Sequence, residues 1–153
     1  MKATGLILIV AVALSLAGLS TALAASNSGS RGATVSTAMT GLGKVIVNGH
    51  GRTLYLFEKD KRGKSMCSGA CASYWPPLIT HGKPRAIGGA KASLLGTIKR
   101  ANGSRQVTYA GHPLYTFVED TKRGDTTGEG STLFGAGWDA LTPAGKKIES
   151  GGS

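Results

Sequence analysis

The stretch GRTLYLFEKD at residues 51–60 returns as GHPLYTFVED at residues 111–120, an offset of 60 residues. Glycine, leucine, tyrosine, phenylalanine and aspartate occupy the same places in both copies. Each copy follows a short apolar segment and a turn that contains glycine. Farther along, Trp75-Pro76-Pro77-Leu78 corresponds more loosely to Trp138-Asp139-Ala140-Leu141. Self-similarity of this kind indicates one structural unit that is used twice.

The residues around the two copies are typical of short β-strands, because β-branched and aromatic side chains are interrupted by glycine and asparagine. Side chains alternate between the two faces of a strand. We therefore expect the tyrosine and phenylalanine of each copy to share one face, and the preceding leucine to take the other. These residues are Leu54, Tyr55 and Phe57 in the first copy, and Leu114, Tyr115 and Phe117 in the second.

A hairpin is predicted for residues 95–109, where Asn102-Gly103 would supply the positive-φ residues of the turn. A short helix is expected around residues 69–74, and Pro76 would end it. The predicted fold is mainly β, with two tandem antiparallel hairpin-based repeats and at most short helices. They are expected to pack into one small domain at residues 42–148, with repeat one at about 42–80 and repeat two at about 95–148.

Composition narrows the class of protein. The chain has 153 residues, of which 24 are glycine, and this argues against a helical bundle because glycine destabilises helix interiors. Apolar residues make up 41% of the chain and charged ones only 17%, so outright disorder is excluded. The net charge of +10 points to anionic partners.

The N-terminus has the layout of a secretory signal peptide. Lys2 is followed by an apolar run from Gly5 to Leu19 and by the small residues of Ala22-Leu23-Ala24. A membrane anchor is the alternative, but the run is shorter than the roughly 20 residues that span a bilayer. We predict a signal peptide at residues 1–24, a flexible leader at 25–41, a disordered tail at 149–153 and no membrane span after cleavage. The mature protein would be secreted or extracytoplasmic, in the periplasm or the cell wall.

The combined motifs resemble a bacterial family of secreted repeats. They are the two Tyr-x4-Asp copies, the segment Cys67-Ser-Gly-Ala-Cys71-Ala72-Ser-Tyr-Trp75-Pro76-Pro77-Leu78, and Gly111-His112-Pro113-Leu114-Tyr115. The family is also described as predicted lipoproteins with a Tyr-x-aromatic-x-x-Asp motif. The resemblance covers about residues 42–148 and implies an exported bacterial protein built from tandem β-rich repeats. It implies no molecular function, because the family's function is unknown.

The two motif aspartates, Asp60 and Asp120, end their strands and precede basic, glycine-containing loops. One interpretation is that each carboxylate accepts hydrogen bonds from backbone N–H groups of its turn. The other is a cation site, for which the candidate ligands are Asp120, Asp125 and Glu129. The loop lacks the alternating ligands of a helix-loop-helix calcium site and carries two basic residues, so no metal is predicted there.

Cys67 and Cys71 are the chain's two cysteines, and in an exported protein a disulfide between them is the default. Their spacing departs from the two-residue gap of haem-attachment and redox dithiol motifs. A copper(I) site that uses both cysteines and Met66 is the alternative, since thiolate and thioether sulfur suit copper(I). We expect no cofactor.

Charge is distributed unevenly. Nine lysines and arginines and no acidic residues occur between Lys61 and Val118. An aromatic-proline cluster at Tyr74 and Trp75 could form a platform for glycans or peptides, although such aromatics are usually core. The candidate contact residues are Tyr74, Trp75, Lys83, Arg85, Lys91, Lys99, Arg100 and Arg105.

These observations predict a non-enzymatic exported module that binds an anionic cell-wall polymer or a membrane surface. No catalytic motif is present, although a hydrolase whose residues meet only in space remains an alternative. No recognition helix or aromatic RNA-binding signature occurs, so no specific nucleic acid is expected as partner. The rival from another class is a redox or metal protein that uses Cys67, Cys71 and Met66.

Overall fold

The computed structural model describes Met1 and residues 31–149. Over this range the elements are β1 (Thr34–Thr40), β2 (Gly43–Asn48), β3 (Tyr55–Phe57), α1 (Ala70–Tyr74), β4 (Arg85–Ala86), β5 (Leu95–Lys99), β6 (Arg105–Tyr109), β7 (His112–Pro113) and β8 (Trp138–Ala140). Single 3₁₀ turns occur at Ala92–Leu94 and Leu133–Gly135. The predicted mainly β fold with one short helix is confirmed. Most of the predicted signal peptide, the leader before residue 31 and the tail after residue 149 lie outside the described residues.

The strands form three small sheets, ordered β2-β1-β4, β3-β8 and β5-β6-β7. All pairs are antiparallel except β1 with β4. The hairpin β1–β2 in the first repeat has its counterpart in β5–β6 in the second. The motif strands attach to these hairpins in the same way, because Leu54 N–H donates to Ile46 O at 3.1 Å and Leu114 N–H donates to Val107 O at 3.0 Å.

The two repeats meet back to back at their motif tyrosines. Tyr55 N–H donates to Tyr115 O at 2.9 Å, and Tyr115 N–H donates to Tyr55 O at 3.0 Å. The pattern continues outward on both sides: Glu58 N–H donates to Gly137 O, and Val118 N–H donates to Tyr74 O. Tyr74 and Gly137 each immediately precede a tryptophan. Trp75 and Trp138 therefore occupy equivalent places in the two repeats, as the looser sequence correspondence suggests.

Two buried clusters lie on opposite faces of the motif strands. The first, which we call the aromatic core, contains the motif tyrosines and phenylalanines and both tryptophans. The second, the aliphatic core, contains Leu54, Leu56, Leu114 and Leu141 together with residues of the hairpins. The predicted alternation of the motif residues is therefore confirmed. Both faces of these short strands are buried, as their apolar composition requires.

The structure corrects the predicted flexible leader at residues 25–41. Residues 34–40 form β1, which pairs with β2 over six consecutive positions from Val35↔Asn48 to Thr40↔Gly43. Val35 is completely buried in the aliphatic core. The first repeat therefore begins at this strand rather than at residue 42. The sequence of β1 consists mostly of small and polar residues, because only one face of the strand reaches the core. It therefore lacks the apolar pattern that predicts a strand.

The turn of the β5–β6 hairpin also differs in detail from its prediction. Gly103 has a φ of 84°, whereas Asn102 is not among the described residues with positive φ. Gly103 N–H donates to Arg100 O at 2.9 Å, and Asn102 Oδ1 accepts the N–H of Ser104. One glycine supplies the left-handed residue, and the asparagine caps the turn with its side chain.

Candidate functional site

The centre of the molecule is a stack of four aromatic rings drawn alternately from the two repeats. Phe57 stacks on Trp138 with ring centroids 4.1 Å apart, Trp138 on Trp75 at 3.9 Å, and Trp75 on Phe117 at 4.3 Å. Each tryptophan also meets the motif tyrosine of its own repeat edge-on, at 5.3 Å for Tyr55 and 5.2 Å for Tyr115. The aromatic residues that the two motifs share are therefore core residues.

The tyrosine of each motif bonds to the aspartate of the other motif. Tyr55 donates its hydroxyl to Asp120 Oδ2 at 2.7 Å, and Tyr115 donates to Asp60 Oδ2 at 2.8 Å. Burial, followed by the adjacent aspartate, raises the pKa of the Tyr55 hydroxyl far above its usual range, and burial does the same for Tyr115. Both hydroxyls therefore remain protonated donors. The Tyr-x4-Asp spacing thus describes a clasp between two repeats rather than a contact within one.

Each motif aspartate also closes its own loop. Asp60 Oδ1 accepts the N–H of Met66 at 2.6 Å, and Asp120 Oδ1 accepts the N–H of Thr127 at 2.9 Å. Burial raises the pKa of the Asp60 carboxyl above its ordinary value, although Met66 N–H, Tyr115 and Arg100 act in the opposite direction. This is the turn role that the sequence suggests for these carboxylates.

The cation-site candidates are not gathered around a common point. Asp120 is buried in the clasp, Asp125 Oδ2 accepts the N–H of Lys122, and Glu129 Oε2 accepts the N–H of Ala140. Met66 lies elsewhere, beside Asp60, and is 39% exposed. Within residues 31–149 no group of three or more histidine, cysteine, aspartate or glutamate side chains is arranged to hold a metal ion.

Cys67 and Cys71 form a disulfide that links the loop after Asp60 to helix α1. While the sulfurs are paired they offer no thiolate to a metal. Arg100, predicted to contact a ligand, instead fastens this loop to the second hairpin. Its guanidinium donates to Cys67 O at 2.7 Å, to Ser65 Oγ at 2.9 Å and to Gln106 Oε1 at 2.6 Å. We assign Arg100 a structural role.

Of the two residues of the predicted aromatic platform, Tyr74 lies at the surface and Trp75 does not. Trp75 is completely buried, which makes its assignment as a contact residue wrong. Its place in the central stack leaves no face for a ligand. Tyr74 is 49% exposed, and its ring lies 5.9 Å from that of Phe134, which is 36% exposed. The sequence analysis did not identify Phe134 as a surface aromatic residue. The available signal was an aromatic residue followed by glycine in a loop.

A basic cleft, which we call the hairpin cleft, lies between residues 81–84 and the β5–β6 hairpin. Its volume is about 410 Å³, and Lys83, Arg105 and His81 line it together with the apolar side chains of Pro84, Ala92 and Leu95. Arg105 Nη2 donates to Thr97 Oγ1 at 2.5 Å, which orients the guanidinium. Two predicted contact residues, Lys83 and Arg105, therefore share one cavity. His81 was not predicted to belong to it.

The remaining predicted basic residues are exposed but lie outside this lining. They are Arg85 in β4, Lys91 at the start of the 3₁₀ turn and Lys99 in β5. Lys99 stands directly opposite Arg105 in the hairpin. Like charges on directly opposed residues destabilise a sheet. The presence of both Lys99 and Arg105 is therefore not explained by a contribution to the stability of this hairpin.

A family described as a secreted repeat of unknown function matches residues 36–79 and 96–142. The two matches together cover more than half of the chain. The chain belongs to this family. Its two matched segments coincide with the two repeats of the structure, and the first begins inside β1, in agreement with the correction of the leader.

Family membership makes the chain a secreted, two-repeat protein. No curated protein and no solved structure matches it significantly. Among the described residues no helix is long and apolar enough to cross a membrane.

Proposed function

We propose that this secreted repeat protein binds an anionic extracellular polymer in the hairpin cleft and catalyses no reaction. The observation that carries the proposal is the cleft's lining, which includes Lys83, Arg105 and His81 and, among the described residues, no acidic residue. The volume of about 410 Å³ lies within the range of small-ligand sites and suits a segment of a polymer.

The apolar part of the lining favours a polymer of acidic sugars. Leu95, Pro84 and Ala92 offer a surface for the hydrophobic face of a sugar ring, while Lys83 and Arg105 lie beside it for carboxylates. Arginine recognises carboxylates with two parallel hydrogen bonds. Lys99 opposite Arg105 and the exposed Arg85 and Lys91 extend the positive field along the same part of the chain.

The first hairpin provides an internal comparison. There, Lys44 occupies the position equivalent to Arg105, and Met39 rather than a second cation stands opposite it. The hairpin architecture therefore folds without a like-charge pair. The additional cations of the second hairpin are supported as binding residues by this difference.

The test is retention of the mature protein on purified bacterial wall material and its affinity for polygalacturonate at low and high salt. The double variant Lys83→Gln/Arg105→Gln should weaken binding by at least about tenfold, because two charge-assisted contacts are lost. The control Lys44→Gln/Lys146→Gln removes the same charge from exposed positions and should change affinity by less than about twofold. Failure of the wild type to bind at low salt, or equal losses in the two variants, contradicts the proposal.

A further inference from the structure

We propose that a second anion site, selective for phosphate groups, lies where the loop after Asp120 crosses the turn before β3. This concavity, which we call the crossing site, is lined by His50, Arg52, Thr121, Lys122 and Arg123. It shares no lining residue with the hairpin cleft. The proposal is independent of the polymer assigned to that cleft.

Both segments of the crossing site are held in place before any ligand arrives. Asn48 Oδ1 accepts the N–H groups of His50 and Arg52 at 2.9 and 3.0 Å. In the opposing loop, Asp125 Oδ2 accepts the N–H of Lys122 at 2.7 Å. A preorganised site loses less conformational entropy when it binds an ion.

Contacts between the repeats bring the two segments together. Thr53 Oγ1 donates to Asp125 O at 2.6 Å, and the Arg52 guanidinium donates to Asp120 O. The Arg123 side chain lies across Gly51, where an added Cβ would come within 2.9 Å of Arg123 Cγ. Gly51 has a φ of 78°, so its lack of a side chain serves both the turn and the passage of Arg123.

The charges of the site converge from the two repeats. Arg52 and His50 come from the first, and Lys122 and Arg123 come from the second. No carboxylate belongs to its described lining. Asp120 and Asp125 adjoin the site but already accept hydrogen bonds, Asp120 from the Tyr55 hydroxyl in the clasp and Asp125 from the backbone N–H of Lys122.

The pseudo-equivalent crossing shows that folding does not require this cluster. There, the loop after Asp60 crosses the turn before Leu114, and the cavity has a volume of about 200 Å³. Ala110 stands where the first crossing has His50, and Gly63 stands where it has Arg123. The Asp60 carboxylate lines this second cavity. Lys61 and Arg62 line it as well, so the same backbone arrangement exists with one lysine or arginine fewer and one carboxylate more.

The chemistry of the crossing site favours phosphate over carboxylate. Two arginines, a lysine and Thr121 line one concavity, and a phosphate group offers acceptor oxygens in several directions. The planar fork of arginine donates two hydrogen bonds at once to phosphate as it does to carboxylate, so the preference for phosphate rests on the number of donors in the site and on the several directions from which they approach. Phosphodiesters of this kind occur in wall polymers and in lipid headgroups, and the experiment separates these sources.

The test measures binding of the mature protein to poly(glycerol phosphate) in solution and to phosphatidylglycerol vesicles diluted in phosphatidylcholine. Lys122→Gln/Arg123→Gln should weaken binding to at least one of them by at least about tenfold. The matched control Lys61→Gln/Arg62→Gln removes two cations from the pseudo-equivalent crossing and should have less than about a twofold effect. Loss on the polymer alone identifies a wall-type ligand, and loss on vesicles alone identifies a lipid surface.

Two further measurements keep the result decisive. Lys122→Glu alone leaves the Arg123 contact with Gly51 intact and should weaken phosphate binding while the thermal midpoint stays unchanged. The cleft variant Lys83→Gln/Arg105→Gln should lose polygalacturonate but retain the phosphate ligand, so the two proposals fail separately. The crossing-site proposal is overturned if the wild type binds neither phosphate probe, or if the two loop variants lose affinity equally.

Discussion

In the first repeat, Tyr55 donates to Asp120, Trp75 stacks in the centre and Met39 faces Lys44 across a hairpin. In the second repeat, Tyr115 donates to Asp60, Trp138 stacks beside Trp75 and Lys99 faces Arg105. The residues turned toward the partner repeat are thus chemically the same, whereas those turned outward differ. Packing at the pseudo-symmetric interface constrains the inner residues, and the outer ones are free to take on separate binding roles.

The largest expected effect comes from the shared aromatic stack. Trp75→Ala and Trp138→Ala should each lower the free energy of unfolding by about 3–5 kcal/mol, because each opens a cavity between two stacked rings. Trp138→Ala should cost slightly more, since it also removes the hydrogen bond from Trp138 Nε1 to Leu133 O. Urea unfolding measures both, with the exposed Phe134→Ala as control. A cost below about 1 kcal/mol for either tryptophan would show that the repeats do not depend on one common core.

The two hydrogen bonds of the clasp should contribute unequally to stability, because their aspartates are buried to different extents. Tyr55→Phe leaves Asp120 Oδ2 without its tyrosine donor in a buried position and should cost about 2–3 kcal/mol. Tyr115→Phe should cost less, because Asp60 is only half-buried and water can replace the lost donor. Chemical denaturation of both variants checks the order. Equal costs, or the reverse order, would mean that exposure of the aspartate does not set the strength of the clasp.

The contribution of Asp60 to folding stability should be larger at acidic pH. The folded pKa of Asp60 is raised above the ordinary value of 3.8, so the folded state binds the proton more readily than the unfolded chain. Its contribution to stability is fully present below that ordinary value and is lost as pH rises through the folded pKa.

The free energy of unfolding of wild type minus that of Asp60→Asn should therefore decrease as pH rises through this window. Glu58→Gln supplies a control of opposite sign, because Lys147 lowers the pKa of Glu58. The stability due to Glu58 is present above its ordinary pKa and is lost as pH falls. A flat difference curve for Asp60→Asn would contradict the assignment.

The smallest expected effect concerns the exposed cross-strand pairs of the two hairpins. Lys99→Thr relieves the like-charge pair with Arg105 and should raise the free energy of unfolding by about 0.5 kcal/mol. The converse change in the first hairpin, Met39→Lys opposite Lys44, should lower it by a similar amount. Thermal unfolding at low salt resolves both changes. A stability loss in Lys99→Thr would show that the second hairpin needs this lysine for folding, which would weaken its assignment to binding.

Sequence reasoning reached the repeat, the strand faces, the helix near Tyr74 and the 95–109 hairpin, because each has a local signature. It missed β1, whose strand character depends on pairing with β2 and on one buried valine. It left Trp75 open between the core and a surface platform, because the neighbouring prolines are typical of an exposed loop. It treated Arg100 as one of several surface cations, since its three acceptors come from residues as far away as Ser65 and Cys67.

The sequence by itself determined that one β unit is used twice, that its motif residues alternate between two faces, and that positive charge collects between the motifs. These properties follow from spacing and residue type, which act locally along the chain. Only the tertiary structure decided that Tyr55 pairs with Asp120 and Tyr115 with Asp60, and which cations share the hairpin cleft and the crossing site. Those pairings join residues tens of positions apart, and they exist because the two repeats bury their aromatic faces against each other.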